Sequence, residues 1–465
     1  MQTSRLFADL DYFDRAVFAA IGILIAAIIG VSLIGNNIGV QIESTFPRET
    51  ARSDSDIRIR FFDDMLPASV EEAFTITPEV EGTFRWNGRR ELVFEPSNAL
   101  VSGESYTVRL ARGAKSRDGS AELKEDWVFA FRVAQPKVAF LAPATSQQRN
   151  LYLYDLDTGK QTVLTDTAWG IADFAVAPNG KYIAYTLYDE DGNSNLWLYD
   201  LGTGVTSQLT NCVNASCGAP AWNGDGTQIA YEREEYDTAL GGLSARRIWV
   251  VDLRSAQSTL LFEDTQVTGH SPQFSPNGNR IAIFATNPPG ILIYDFVNDS
   301  QVFIESLQGL VGSFSPDSSQ LVYPVMVRGA IGSTFYSQLE AVDLVENRRS
   351  LITGSVETPI EDSSAVWRPG TTNELAVTRR YLDDRYTDGA QVYLLNIDTN
   401  EATPLVVDPA YTHGALQWSP DGNMLVIQRF NRVEQGARPQ IWIYNLQTQE
   451  LRQIADDAYL PEFVP

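Results

Sequence analysis

The sequence predicts an all-β chain: one apolar helix near the start, a β-sandwich, then a β-propeller. Three observations predict it. A short hairpin motif recurs along the C-terminal two thirds, a second alternating motif recurs in step with it, and the stretch before them alternates without repeating.

The hairpin motif is Trp418-Ser419-Pro420-Asp421-Gly422. Close copies are Phe274-Ser275-Pro276-Asn277-Gly278, Ala177-Pro178-Asn179-Gly180 and Phe314-Ser315-Pro316-Asp317; Trp367-Arg368-Pro369-Gly370 and Trp222-Asn223-Gly224-Asp225-Gly226 are more distant ones. Their spacing of about 40 to about 53 residues falls in the range of propellers and similar arrays. In each unit an aromatic residue closes one strand, proline presets φ, and Asp-Gly or Asn-Gly supplies the positive φ of a tight hairpin.

The second column is an alternating strand that ends in Asp or Asn, as in Leu196-Trp197-Leu198-Tyr199-Asp200 and Ile441-Trp442-Ile443-Tyr444-Asn445. It occurs seven times, ending at Asp155, Asp200, Asp252, Asp295, Asp343, Asn396 and Asn445. Period-two strands with polar punctuation are what a four-stranded blade repeats. The Asp/Asn column has the residue type that starts turns.

These two motifs resemble the WD40-like repeats of the TolB-type propeller family, from Lys137 to the end of the chain. The count points to seven blades, with six or eight as alternatives. The array starts out of phase, because residues 138–141 have the character of a second strand. Pro461-Glu462-Phe463-Val464-Pro465 parallels Pro272-Gln273-Phe274-Ser275-Pro276, so the C-terminal strand is expected to close the ring with the first blade and leave no unpaired edge.

Residues 1–16 are short and mixed in charge. Residues 17–35 are uncharged and mostly apolar, and at about 1.5 Å per residue they would span roughly 28 Å as a helix, near the thickness of a bilayer's hydrocarbon core. The run is long, its leader is not basic and no Ala-x-Ala-like site follows, so an uncleaved transmembrane anchor is preferred to a signal peptide. A buried soluble helix is disfavoured because the run has no polar face. This places the protein at a cell membrane as a single-pass chain with its C-terminal domains outside the cytoplasm, an orientation resting on the cysteines and the family resemblance.

Residues 40–133 carry short alternating strands such as Ile57-Arg58-Ile59-Arg60-Phe61 and Tyr106-Thr107-Val108-Arg109-Leu110, separated by Asn87-Gly88, Ser102-Gly103 and Asp118-Gly119. Six or seven strands of this kind read as a β-sandwich. The landmarks from Phe61 to Met65, Phe74 to Pro78, Gly82 to Trp86, Phe94 to Pro96, Ser105 to Val108 and Phe129 to Phe131 resemble bacterial Ig-like domains of the SbsA type. That resemblance implies a spacer or adhesive module. A short linker near Ala134-Gln135-Pro136 leads to the propeller, residues 137–465.

The net charge of −24 argues against nucleic acid, whose phosphates would be repelled, and against anionic lipid headgroups. Only Cys212 and Cys217 are present. A zinc site would want two more ligands nearby and a redox pair two intervening residues, so a local disulfide fits best and implies an oxidising compartment.

Catalytic motifs are lacking. Neither a Gly-x-Ser-x-Gly elbow nor His-Glu-x-x-His, a phosphate-binding glycine loop or Cys-x-x-Cys occurs, and there are two histidines. An enzyme is not expected, nor any cofactor or metal. Residues 189–195 look like a calcium loop, yet their glycine is fourth and position twelve is Asp200, not glutamate. Candidate ligand-binding residues are His270, His413, Asp173 and Asp362, expected in entry loops at the mouth of the propeller channel; for each the plainer reading, a side chain satisfied by loop backbone, is preferred. The expected function is a membrane-anchored binding or scaffold protein that recognises an envelope protein, peptide or glycan through one propeller face. A receptor for a small ligand or cation in the channel is the alternative, and a hydrolase using channel carboxylates a weaker third.

Overall fold

The computed structural model describes residues 12–35, 39–239, 241–328, 335–354 and 360–465; most of the short N-terminal segment 1–16 lies outside them. The chain divides into two compact units, Met1–Ala134 and Gln135–Pro465.

An α-helix spans Tyr12–Gly35, and it corrects the expected membrane anchor. Among the described residues no helix is long and apolar enough to cross a membrane. The single-pass membrane location inferred from this segment falls with it.

The rest of the first unit is a sandwich of two four-stranded sheets. One runs in the order Ile42–Phe46, Ile57–Phe61, Glu91–Pro96, Gly82–Asn87; the other runs Thr50–Ala51, Trp127–Val133, Ser105–Leu110, Phe74–Thr77. Alternation sets the inner faces: Ile57, Ile59 and Phe61 are buried while Arg58 and Arg60 are exposed. They pack with Leu92, Tyr106, Val108 and Phe131 in one core. Met65 is buried in that core as well.

In the second unit the described strands form seven four-stranded antiparallel blades. The innermost strands of blades 2 to 7 are Ile171–Val176, Ala215–Trp222, Gly269–Phe274, Ser313–Phe314, Ile360–Trp367 and Tyr411–Trp418. Blade 1 takes its innermost strand from the other end of the chain, where Tyr459–Val464 pairs antiparallel with Lys137–Ala142. One parallel bridge, Ser194 to Ser216, joins blades 2 and 3.

The repeated hairpin is a side-chain-braced turn. Ser275 Oγ accepts from Arg280 N at 3.0 Å and donates to Asn277 at 2.9 Å. Ser419 repeats the arrangement with Met424 N and Asp421, and Gly278 and Gly422 supply φ of 73° and 67°. The Asp/Asn column starts turns, as its composition suggests: Asp200 Oδ1 accepts from Gly202 N and Thr203 N, and Asn445 does the same for Gln447 and Thr448.

Apolar faces meet between blades, not within them. Blades 1 and 2 share a core that includes Leu141, Leu151, Ile171 and Ile183; blades 4 and 5 share Phe284, Ile291, Phe314 and Tyr323. Between blades 7 and 1, Val138, Phe140 and Phe463 pack on Met424, Val426 and Ile441. The ring is thus closed twice, by hydrogen bonding within blade 1 and by packing across the seam.

Candidate functional site

The innermost strands surround the ring axis, and most of them are bulged. Register shifts fall between His270 and Gln273, between Gly414 and Gln417, and between Tyr459 and Glu462. At equivalent positions of these bulges Ala219, Ser271, Ala415 and Leu460 have φ of 52°, 56°, 45° and 51°. A bulge takes a backbone N–H out of its ladder, and a buried N–H needs another acceptor.

Side chains from the preceding blade supply it. Glu232 of blade 3 accepts from Ser271 N at 2.7 Å. Gln428, the same position of blade 7, accepts from Leu460 N at 3.0 Å. Asp173 of blade 2 accepts from Ala219 N at 3.1 Å and from the Thr186 hydroxyl. One residue before the closing aromatic, Gln417 accepts from Phe463 N and Glu462 accepts from Val176 N. The seams running from blade 7 through blades 1, 2 and 3 to blade 4 are therefore tied by side-chain caps.

Three of these caps are acids, and burial raises each. Glu462 is pushed up to about 7 by burial, with the charge of Asp173 adding to it. Burial likewise raises Asp173. Glu232 rises through burial against the pull of Ser271 N and Arg246.

The other side of the ring holds a mainly apolar cavity. This cavity, of about 490 Å³, is lined by Pro272 and Gln273 of blade 4, residues 309–312 ahead of blade 5, residues 363–366 of blade 6, and Ala415 and Leu416 of blade 7. Its width follows from the innermost strand of blade 5, which is only two residues long. Gly312, at φ 100°, lets the preceding loop pass so close that a Cβ there would lie 2.1 Å from the Val322 carbonyl oxygen. The volume is in the range of small-ligand sites.

The residues singled out from the sequence are not brought together. All four lie in innermost strands, not in entry loops. His270 is partly exposed, with Nδ1 2.9 Å from Ser271 Oγ and its ring 5.2 Å from that of Phe284; burial and Arg246 lower its pKa. His413, three blades away, is buried with Nδ1 2.8 Å from the Ala390 carbonyl oxygen, and burial lowers its pKa to about 4. Asp362 is fully buried and takes two hydrogen bonds from Arg379, at 2.8 and 2.9 Å. Of the four, Asp173 belongs to the capped seams and His270 touches the cavity rim through Ser271. Cys212, ahead of the innermost strand of blade 3, forms a disulfide with Cys217 within that strand. Asp189, in the calcium-like loop, accepts from Asp191 N and Asn193 N; among the described residues no group of three metal-ligating side chains forms.

Glu232, Gln428 and Glu462 were not found from the sequence. One signal was available for Glu462: it fills the slot that Gln273 and Gln417 fill in other blades.

Comparison with known proteins follows the two units. The bacterial Ig-like domain family matches residues 36–133. The first unit contains a bacterial Ig-like domain. No curated protein matches the chain. Among solved structures, TolB from Acinetobacter baumannii is 15% identical, over 84% of this chain and 83% of that one, with a TM-score of 0.43. The β-propeller domain of the Trilobed protease from Pyrococcus furiosus is 14% identical, over 62% and 84%, with a TM-score of 0.47. Puromycin hydrolase, as an S511A mutant complexed with PGG, is 14% identical over 76% of this chain and 52% of that chain, with a TM-score of 0.50. At that identity the likeness is one of fold alone.

Proposed function

We propose that the protein is a non-catalytic binding or scaffold module that takes a protein or peptide partner on one face of the propeller. The observation that carries this reading is an asymmetry of exposed apolar side chains. One face bears the links from second to third strand and from each blade to the next. Exposed Val213, Leu307, Leu310, Met326, Phe335 and Val433 all lie there. The opposite face, built from the repeated hairpins and the turns after the Asp/Asn column, has fewer, among them Val205, Val297 and Val345. Clustered exposed apolar surface is characteristic of interaction sites. A hollow of about 410 Å³ lined by Pro288, Pro289, Leu307 and Met326 opens on the richer face. A nucleic-acid partner is disfavoured by the net charge of −24.

The test compares aspartate substitutions on the two faces. Leu307→Asp with Met326→Asp should abolish retention of a captured partner, whereas Val297→Asp with Val345→Asp should leave it intact. Equal retention by both double variants would overturn the reading.

A second reading, a receptor for a small ligand in the ring, is supported by the 490 Å³ cavity. Its ligand would raise the melting temperature of the chain, because it binds the native state alone. Filling the cavity with Ala365→Trp should remove that rise.

A further inference from the structure

We propose that a separate site, for a neutral oligosaccharide, lies in the hollow between the outer connections of blades 1 and 2. The hollow has a volume of about 470 Å³ and is lined by Gln147, Arg149, Trp169, Tyr188, Asp189 and Glu190. It shares no lining residue with the cavity in the ring, and the proposal does not rest on the partner-binding role.

Trp169 is 54% exposed, unusual for a side chain that is mostly buried in folded proteins. Its backbone is held there. Gly170, at φ 85°, brings the chain so close to the blade 1 connection that a Cβ would lie 1.9 Å from the Gln147 carbonyl oxygen. Ile171 N donates to the Arg149 carbonyl at 2.9 Å, and Tyr188 N donates to the Gly170 carbonyl at 3.2 Å. Two residues with exposed aromatic rings are thereby pinned at one hollow before any ligand arrives, which lowers the entropic cost of binding.

The lining chemistry selects the ligand class. Aromatic faces carry negative charge density and apolar area, suited to the polarised C–H face of a sugar ring. Hydroxyl groups both donate and accept. Gln147 and Arg149 offer donors, while Asp189 and Glu190 offer acceptors. The lining carries two carboxylates against one guanidinium, so an anionic ligand meets net repulsion. Arg149 is fixed in place, its Nε donating to the Ile171 carbonyl at 3.2 Å and its guanidinium 5.4 Å from the Tyr459 ring centroid. Asp189 holds its own turn through Asp191 N and Asn193 N, and a carboxylate with about four lone-pair sites can accept further bonds.

The experiment presents the intact chain to an array of short neutral oligosaccharides of hexose and N-acetylhexosamine units, with hits measured by calorimetry. At least one should bind, and Trp169→Ala should weaken it by about tenfold or more. Val205→Ala on the opposite face should leave binding unchanged, and equal melting temperatures should show that both variants fold. The proposal is overturned by an empty array, by binding that Trp169→Ala leaves intact, by binding confined to charged saccharides, or by a basic peptide held at Trp169 in place of any sugar.

Discussion

Glu462 accepts a 2.8 Å hydrogen bond from Val176 N, joining the last strand of the chain to the innermost strand of blade 2 across 286 positions of sequence. Gln417 makes the same bond to Phe463 N one seam earlier. The slot therefore asks for an acceptor, and in blade 1 the acceptor is an acid whose pKa burial pushes from an ordinary 4.5 up to about 7. Between those values the folded protein holds more protons than the unfolded chain, so this group's contribution to stability falls as pH rises from about 4.5 to about 7. Glu462→Gln keeps the acceptor and removes the titration. It should be more stable than the parent at pH 8, by on the order of 2–3 kcal/mol, and equal to it near pH 4. Denaturant melts at the two pH values decide the matter; a constant difference would show that Glu462 ionises freely.

His413 should act on the opposite limb. Its Nδ1 lies 2.8 Å from the Ala390 carbonyl oxygen, and burial holds its pKa at about 4 against an ordinary 6.5, with the charge of Arg429 opposing a second cation. Asp408 faces the same pair, at 2.8 Å from Arg429, and pulls the other way. Below pH 6.5 the unfolded chain takes up a proton that the fold refuses, so stability should fall as pH drops from about 6.5 to about 4. His413→Gln should flatten that part of the curve, worth on the order of 2–3 kcal/mol at pH 4. The ring's two-dimensional NMR signals should stay neutral at pH 5.5; a midpoint near 6.5 would refute the burial account.

Arg379 and Asp362 are a buried ion pair, with side chains 5% and 0% exposed. Arg379 also lies 5.8 Å from the ring of Tyr381 and 6.0 Å from that of Tyr393. Removing one partner strands a charge, so Asp362→Leu and Arg379→Met should each cost about 3–5 kcal/mol. The double variant Asp362→Leu with Arg379→Met should recover most of that loss, because well-packed apolar groups replace buried pairs at little cost. A double-mutant cycle in denaturant measures it. If the double variant loses the sum of both single effects, Asp362 has a role apart from the pair.

Much of the architecture is legible in the sequence because it is local. The Ser-Pro-Asp-Gly hairpin carries its own hydrogen bonds within five residues, as Ser419 and Met424 do, so its repetition marks the blades. The alternation of Ile57, Ile59 and Phe61 likewise declares the sandwich. The closing strand is legible only by comparison, because Pro461-Glu462-Phe463 matches Pro272-Gln273-Phe274. The seam caps are not. Glu232 meets Ser271 through a bulge whose position is a property of the paired strands, and no residue pattern near Glu232 announces it. The histidines were expected in entry loops because their place was read from order along the chain, whereas strand pairing takes both into innermost strands. The apolar run at residues 17–35 does form a helix, Tyr12–Gly35, yet among the described residues no helix is long and apolar enough to cross a membrane.

Gly312 tests whether the cavity is shaped by backbone. Its φ is 100°, and an added Cβ would fall 2.1 Å from the Val322 carbonyl oxygen and 2.9 Å from Tyr323. Gly312→Ala therefore meets two penalties at once: a backbone region that residues with a Cβ rarely adopt, and a clash that side-chain motion cannot relieve. The loop of residues 309–312 must shift away from the second strand of blade 5, into the space it lines. Gly414 is the internal control. It lies on the innermost strand of blade 7, and an added Cβ there meets nothing within 4 Å. Gly414→Ala should be close to neutral or slightly stabilising, because it restricts the unfolded chain. Gly312→Ala should cost about 2–4 kcal/mol, as strained positions do, and any ligand found for the cavity should bind it more weakly than the parent. Equal melting temperatures for the two variants would mean that the loop adapts freely, and that the width of the cavity has another cause than the close approach at Gly312.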